Sequence, residues 1–294
     1  MLETPTITET PIRVTEFRRF NRVFFSRWIV TSGLVMILIL TIIAIFAPLL
    51  APYNPSSTSL EETLQPPSLQ HLLGTDTLGR DTLTRIMYGA RTSLMIGLVV
   101  VFSSSIIGFL LGLVAGYVGG WSYTIIMRIM DALMAFPMIL LALMIASLLG
   151  GGILNVIIAL TVSLVPVSAR LMCGQVITAK ENDYIMAERS MGASHSLVMF
   201  RHLLPNCFPP LIVMVTMVMG EVILAEAGLS FLGLGVSPPT AAWGSMISDG
   251  RNYLLRAPIL SFAPGFALMI AVFGFTMVGD GLRDALDPRL RGVI

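Results

Sequence analysis

The stretch 181-ENDYIMAERSMGASHSLVMFRHLLPN-206 is a polar interruption in a very apolar chain. It carries carboxylates, two arginines and two histidines, whereas the intervals 92–127 and 132–169 contain no charged residue. A helix needs about 20 mostly apolar residues to cross a bilayer, so this stretch cannot cross one. We therefore expect it to lie at a membrane surface, between two membrane-spanning helices.

The composition outside this stretch is that of a protein whose solvent is the lipid bilayer. Hydrophobic residues make up 55% of the 294 residues, charged residues only 12%, and the net charge is +1. This profile predicts an all-helical, multi-pass membrane protein and gives no support for nucleic-acid binding. Cys173 and Cys207 are too few for a disulfide framework or a metal cluster and are interpreted as small apolar side chains.

Charge-free runs predict six membrane-spanning helices. The first is Trp28–Leu50, the run 92–127 must turn near GYVGGWSY at 116–123, the run 132–169 divides at Gly150, Gly151 and Gly152, the fifth helix follows Pro205, and the sixth is 257–279. Phe136 and Pro137 should kink the third helix, which makes them a candidate gate. Gly108, Gly112 and Gly116 should let a neighbouring helix approach closely.

Six crossings place both termini on one side, and the arginines indicate which side. Segments 1–27, 170–205 and 283–294 carry most of the basic residues and are predicted to be cytosolic, with fewer on the opposite side. The remaining organisation follows: an external loop at 51–91, a five-helix core at 92–282 and a second external loop at 229–256.

Within the opening stretch the pattern predicts two short helices separated by a glycine. Asn182 or Asp183 can cap a helix that begins at Tyr184, and Gly192 is suited to end it. A second helix would be capped by Ser194 and run to Leu204, where Pro205 begins the next crossing. Tyr184, Ala187 and Met191 share one face of the first helix. The spacing fits an ordinary solvated loop as well as an element that docks a cytosolic partner.

A family resemblance separates these two alternatives. YIMAERSMGASHSLVMFRHLLPN resembles the EAA loop of ABC importer permeases, in which a Glu-Ala-Ala triplet precedes a glycine and a Leu-Pro pair follows. The triplet falls on Met186, Ala187 and Glu188, so that Met186 stands where the family has glutamate. His202 stands where the family usually has isoleucine.

Three further stretches are similar to the C-type permease subunit of dipeptide, oligopeptide and nickel importers. They are HLLGTDTLGRDTLTRIMYGARTSL at 71–94, LSFLGLGVSPPTAAWGSMISDGRNYL at 229–254 and VGDGLRDALDPRLRG at 278–292. The four motifs occur in order and cover nearly everything from about residue 25 onward.

The resemblance implies a type I ABC importer permease in the inner membrane, for di- or oligopeptides or, alternatively, nickel or a metal chelate. It implies a homologous second permease, two ATPase subunits that hold ATP and Mg²⁺, and a periplasmic or extracellular solute-binding protein. The ATPase would dock on the coupling loop, 180–205, through Tyr184, Met186, Ala187, Glu188, Arg189, Gly192, Ala193, Leu204 and Pro205. This chain itself would bind no cofactor and catalyse no reaction.

The residues agree that ATP binds elsewhere, because the only lysine, Lys180, follows alanine and cannot form a phosphate-binding glycine-rich loop. An ion-coupled transporter is the alternative from another class, since charged residues within membrane spans are candidates for ion relays. Glu221 and Glu226 are its candidate pathway or gating residues. Arg128 and Asp131, three residues apart, are expected to pair locally instead.

Several isolated residues receive simpler interpretations. His195 and His202 are expected to be surface residues, and no zinc-protease motif involves either of them or His71. Trp243 is expected to be an interfacial anchor. One group is predicted to form exposed ion pairs in the external segment: Asp76, Arg80, Asp81 and Arg85.

Overall fold

The computed structural model describes residues 24–25 and 27–286, and these form helices joined by loops. In chain order the helices are α1 (Trp28–Leu50), α2 (Thr82–Val118), α3 (Gly120–Met134), α4 (Met138–Leu149), α5 (Ile153–Ala179), α6 (Asp183–Ser190), α7 (His195–Phe231), α8 (Trp243–Gly250) and α9 (Ile259–Leu286). The predicted all-helical fold is confirmed. Most of the predicted cytosolic tail at 1–27, namely residues 1–23 and 26, and residues 287–294 of the predicted tail at 283–294 lie outside the described residues.

Five of the described helices, α1, α2, α5, α7 and α9, are long and apolar enough to cross a membrane. The sixth crossing is the pair α3–α4, which bends by 89° at the predicted Phe136–Pro137 kink. α3 begins directly after α2 ends, and Gly152, just beyond α4, donates its N–H to the Gly235 carbonyl (2.9 Å) in the loop after α7. Because these two points lie at opposite ends of the bundle, the pair spans it as a broken helix.

The two ends of the described chain lie together. Arg27 Nη1, just before α1, is 2.6 Å from Asp284 Oδ2 near the end of α9. Along their length the two helices approach closely where Gly33 lies against Gly274. An even number of crossings therefore connects residue 27 to residue 284.

The predicted glycine face of α2 packs against α5. A side chain at Gly108 would collide with Ser168, one at Gly112 with the Ala169 carbonyl, and one at Gly116 with Val176. Glycines spaced four apart thus let the two backbones approach without intervening side chains, as expected. This contact forms the centre of the bundle and aligns α2 with the helix that enters the coupling loop.

α2 begins ten residues earlier than the charge-free run predicts. Asp81 caps it by accepting the Thr84 N–H (2.7 Å), and Arg85 lies buried inside its first turn. The predicted external loop therefore ends at residue 81 rather than 91. The charge count misplaces this boundary because paired charges do not prevent a helix from continuing.

Trp243 is fully buried, and its predicted role as an interfacial anchor is wrong. Its indole Nε1 donates to the Ile86 carbonyl (3.1 Å), and its ring lies against Gly89, where no side chain intervenes. The short helix α8 is consequently held against the first turns of α2. The polar handle of tryptophan is satisfied by a backbone carbonyl within the bundle, not by the lipid–water interface.

Candidate coupling loop and pathway residues

The coupling loop forms the predicted helix and glycine break. α6 follows Asn182, whose side chain makes no capping bond, and its last turn leads to Gly192. Gly192 has φ +85°, a left-handed conformation that residues with a Cβ adopt only at a cost. The chain then reverses, and the Ala193 N–H donates to the Glu188 carbonyl (3.1 Å).

Several apolar side chains of α6 and of the residue that follows it are exposed to solvent. Tyr184 is 42% exposed, Met186 51% and Met191 75%, and Ala187 is exposed beside them. Ile185 is the residue of α6 that is fully buried. It packs into a cluster formed mainly by Leu113, Met172, Val176, Val198, Leu203, Cys207 and Leu211. One side chain thus anchors the helix while the face predicted for docking stays uncovered.

The second half of the loop is continuous with the next crossing. The Ser194 hydroxyl accepts the Leu197 N–H (3.4 Å) as predicted, and the helix then passes through a π-helical turn, Val198–Leu203, into Leu204 without a break. Leu204 and Pro205 therefore do not mark a boundary between two helices. A wider turn before Pro205 accommodates a residue that has no N–H to donate.

Contacts within the loop join its two halves. His202 Nε2 lies 3.7 Å from Glu188 Oε1, and Asn206 Nδ2 donates to the Tyr184 hydroxyl (3.1 Å). Both contacts join α6, which precedes Gly192, to the N-terminal part of α7, which follows it. His202 is therefore partly buried rather than a free surface residue.

Tyr117, at the end of α2, is a residue that the sequence analysis did not identify. Its hydroxyl is 2.8 Å from His195 Nδ1, and the Arg189 guanidinium lies 5.7 Å from the centre of its ring. One residue earlier, the Gly116 carbonyl accepts a hydrogen bond from Lys180 Nζ (3.0 Å). A tyrosine at a helix end resembles an interfacial anchor in sequence, so nothing local distinguishes this one.

The two glutamates predicted for the pathway have different surroundings. Glu226 is fully buried and accepts hydrogen bonds from the Ser93 hydroxyl (3.0 Å) and the Ser230 hydroxyl (2.8 Å). Ser230 in turn accepts the Val236 N–H (3.1 Å). This chain of bonds joins α2, α7 and the loop after α7. Glu221, five residues earlier, is exposed.

The bend at Phe136 and Pro137 is exposed, and α4 contacts α7 just beyond it, where Ile139 lies against Gly228. Within the described residues, no side-chain hydrogen bond or ion pair joins this bend to Glu221. The expected local pair between Arg128 and Asp131 is wrong, because Asp131 pairs with Arg170 of α5. Helical spacing made Arg128 a neighbour of Asp131, but the packing of α3 on α5 supplies Arg170 as the partner.

The charged group at the start of α2 is buried, which corrects the prediction of exposed pairs. Arg80 and Arg85 both direct Nε to Asp76 Oδ2 (2.6 and 3.4 Å), and Arg85 Nη1 also donates to the Pro55 carbonyl (3.1 Å). Buried charges persist only when paired in this way. Beside this group, the pKa of the Asp249 carboxyl is raised above its usual value. Burial is the main cause and outweighs the guanidinium groups of Arg80 and Arg85, which act to lower the pKa.

A second buried group stabilises the same end. His71 Nδ1 is 2.9 Å from Asp81 Oδ1, and the Tyr53 ring lies 4.8 Å from the imidazole. His71 therefore fixes the preceding loop onto the cap of α2. Within residues 24–25 and 27–286, no group of three His, Cys, Asp or Glu residues could hold a metal ion.

Six crossings, with an exposed helical loop at the end where the described termini meet, define a multi-pass helical membrane protein. The chain belongs to the family of binding-protein-dependent transport system inner membrane components, which matches residues 108–292. The N-terminal TM domain of oligopeptide transport permease C matches residues 15–67. It is therefore an inner-membrane, multi-pass permease of an ABC importer, a class that works with ATPase and solute-binding subunits.

Relatives match nearly the whole chain. A putative peptide transport system permease protein of Brucella suis is 45% identical over 98% of this chain and 95% of its own length. The dipeptide transport system permease protein DppC of Alkalihalophilus pseudofirmus is 46% identical over 88% and 85%. The glutathione transport system permease protein GsiD of Pectobacterium atrosepticum is 41% identical over 98% and 95%.

A solved structure shares the fold. A chain of the MetNI methionine ABC transporter in an inward-facing conformation superposes with a TM-score of 0.53 at 21% sequence identity. The match covers 70% of this chain and 96% of that chain. At this identity the likeness concerns the arrangement of helices alone.

Proposed function

We propose that this chain is the permease of a peptide importer and forms half of the path through which small peptides enter the cell. The support is that the similar permeases from Brucella suis, Alkalihalophilus pseudofirmus and Pectobacterium atrosepticum are described as transporting peptides, dipeptides and glutathione. The sister half would be a homologous permease. A solute-binding protein on the outer side would deliver the peptide.

The observation that carries the coupling role is the uncovered apolar face of α6. Tyr184, Ala187 and Met191 are exposed on a helix that Ile185 fixes to the bundle. An apolar helix face that water alone covers is suited to a groove on a partner protein. In this proposal the groove belongs to the ATPase, and two ATPase subunits hold ATP and Mg²⁺ while this chain catalyses no reaction.

The coupling loop then faces the cytosol, and the rest of the topology follows from the contacts. The support is that Arg27 pairs with Asp284, so that the two described ends lie together, and that most arginines lie in the segments proposed to face the cytosol. Gly152 and Gly235 would face outward.

Glu221 is the better candidate for a pathway residue. It is exposed in the second half of α7, and a carboxylate in a membrane span normally faces a polar cavity or a partner rather than lipid. Phe136 and Pro137 would act as a gate at the broken crossing. Glu226, whose oxygens are occupied by two serines, would instead stabilise the outer part of the bundle.

The test is reconstitution of the chain in lipid nanodiscs or liposomes with its sister permease, its ATPases and its binding protein. Uptake of a panel of di-, tri- and longer peptides is measured with ATP, alongside nickel and a nickel chelate. We expect ATP-dependent uptake of at least one peptide class. Uptake of nickel alone, or uptake driven by a proton gradient without the ATPases, would contradict the proposal.

A further inference from the structure

Tyr117 is the point at which α2 touches both halves of the coupling loop. Its ring lies beneath the Arg189 guanidinium of α6, and its hydroxyl meets His195 Nδ1 at the start of α7. Gly192 lies between Arg189 and His195 in the sequence. A tyrosine hydroxyl can donate to a neutral imidazole and accept from a protonated one, so this bond forms in either charge state of His195.

The neighbouring contact strengthens the same junction. Lys180, at the end of α5, donates to the Gly116 carbonyl (3.0 Å), and Gly116 itself packs against Val176 without an intervening side chain. The end of α2 is therefore joined to the loop from α5, α6 and α7 together. Tyr117 itself is 9% exposed, whereas its two partners, Arg189 and His195, are exposed.

α2 is suited to carry a displacement from this junction to the outer side. It is 37 residues long, or about 55 Å at 1.5 Å per residue. Among the crossings described in residues 27–286 it is the one without proline, whereas α1, α5, α7 and α9 each contain at least one and α3–α4 breaks at Pro137. Proline is a principal cause of helix kinks, and α2 lacks this cause of bending along its whole length.

The far part of α2 holds the outer loop. Ser93 donates to Glu226, which is linked through Ser230 to the loop after α7, and the Ile86 carbonyl accepts the Trp243 indole N–H. A shift of α2 therefore reaches the loop and helix that cover the outer end of the bundle.

We infer that Tyr117 is a positioning residue that transmits movement of the coupling loop to α2, in addition to α5 and α7, to which the loop is joined covalently. The inference rests on the proposed coupling function. It assigns to α2 the task of linking the ATPase dock to the outer loop, through one tyrosine that contacts Arg189 and His195.

The test compares variants of Tyr117 in the complete reconstituted transporter and measures peptide molecules transported per ATP hydrolysed. Tyr117→Ala removes both contacts and should lower this ratio about tenfold, while Tyr117→Phe keeps the ring under Arg189 and should lower it about threefold, the fold-change of one hydrogen bond. His195→Ala should match Tyr117→Phe, and combining the two should add nothing, since they remove the same bond. His195→Gln, which keeps a hydrogen-bonding group, should restore part of the ratio.

Tyr123 provides a matched control. It lies one turn into α3 at the same end of the bundle and is 43% exposed, and no side-chain hydrogen bond joins its hydroxyl to the loop in the described residues. Tyr123→Phe should leave the ratio unchanged. ATP hydrolysis and co-purification of the ATPases should persist in Tyr117→Phe, which separates lost transmission from lost folding or assembly.

The outcomes distinguish this inference from the proposed function. If the unmodified complex transports no peptide, the proposed function fails. If it does transport peptide and Tyr117→Phe and His195→Ala both keep the unmodified ratio, the inference is overturned. A fall in ratio accompanied by an equal loss of bound ATPase would also overturn it, because Tyr117 would then only support the dock.

Discussion

The two ends of α2 are held in opposite ways. At the end that we propose faces outward, here called the outer end, Arg80 and Arg85 are buried and pair with Asp76, and His71 is buried against the capping Asp81. At the end near the coupling loop, the partners of Tyr117 are exposed side chains.

The contrast shows how stability and movement are divided in the molecule. Breaking a buried, paired charge is costly, so the outer end should tolerate little change. Contacts between exposed polar groups contribute little free energy and can rearrange. We therefore expect substitutions at the outer end to lower the stability of the fold, and substitutions at the loop to leave stability nearly intact while altering transport. The following experiments test this division in order of expected loss of stability.

Replacing Arg85 by Met should have the largest effect. It leaves the Asp76 carboxylate with one fewer partner and removes the bond to the Pro55 carbonyl, so the free energy of unfolding should fall by about 3–5 kcal/mol, the usual cost of breaking a buried pair. Thermal unfolding in detergent, followed by tryptophan fluorescence, measures the change. Arg128→Met, at an exposed position, should change little; equal losses in the two variants would break the comparison.

Replacing Glu226 by Leu should have the next largest effect. The Ser93 and Ser230 hydroxyls would lose their acceptor inside the bundle, at a cost of about 1–3 kcal/mol. Glu221→Leu changes the same residue type in the same helix at an exposed position. We expect it to unfold at the unmodified temperature but to transport peptide more slowly, and the reverse pattern would contradict the assignment of the two glutamates.

Replacing Gly192 by Ala should cost about 1–2 kcal/mol locally, because its φ of +85° is unfavourable for a residue with a Cβ. The strain falls on an exposed loop, so global unfolding should change less than uptake. Gly174→Ala, in the regular part of α5 with open space around it, is the control and should leave both measurements unchanged. Unaltered uptake in Gly192→Ala would show that the glycine break is dispensable.

Replacing Ala187 by Glu should leave stability unchanged, since the side chain points into water. A charge in the centre of the proposed dock should nevertheless reduce ATPase binding and uptake. Thr178→Glu adds the same charge at an exposed position of α5, outside the coupling helix, and should not do so. Co-purification of the ATPase with each variant decides between these expectations, and full binding to the Ala187 variant would place the dock elsewhere.

Much of the fold is predictable because membrane crossings depend on local composition. Trp28–Leu50 emerges from an uninterrupted apolar run, the bend at Pro137 from a missing backbone donor, and the close approach of α2 and α5 from the spacing of three glycines. A count of charges predicts the start of α2 too late, because it takes no account of the partners of Arg85 in the folded chain, Asp76 and the Pro55 carbonyl.

The sites are less predictable, because their chemistry depends on distant partners. The local sequence does not distinguish Glu221 from Glu226. The two differ because Glu226 accepts a hydrogen bond from Ser93, which lies 133 residues earlier in the chain. Tyr117 gains its importance from His195, 78 residues later. The docking face of α6 is predictable from helical spacing, but the sequence did not reveal that Ile185 is the residue that fixes it in place. The roles of the loop in docking and of Glu221 in the pathway stay predictions.

The broken crossing has a consequence for the isolated chain. Around Pro137 the broken crossing is interrupted partway along its length, and the last carbonyls of α3 and the first N–H groups of α4 cannot bond to one another. Hydrocarbon offers such groups no hydrogen bond, and residues 134–137 are all exposed. In a single copy surrounded by lipid, these backbone groups would have no hydrogen-bond partner. We therefore expect a polar cavity or a neighbouring protein to lie beside the break in the assembled transporter.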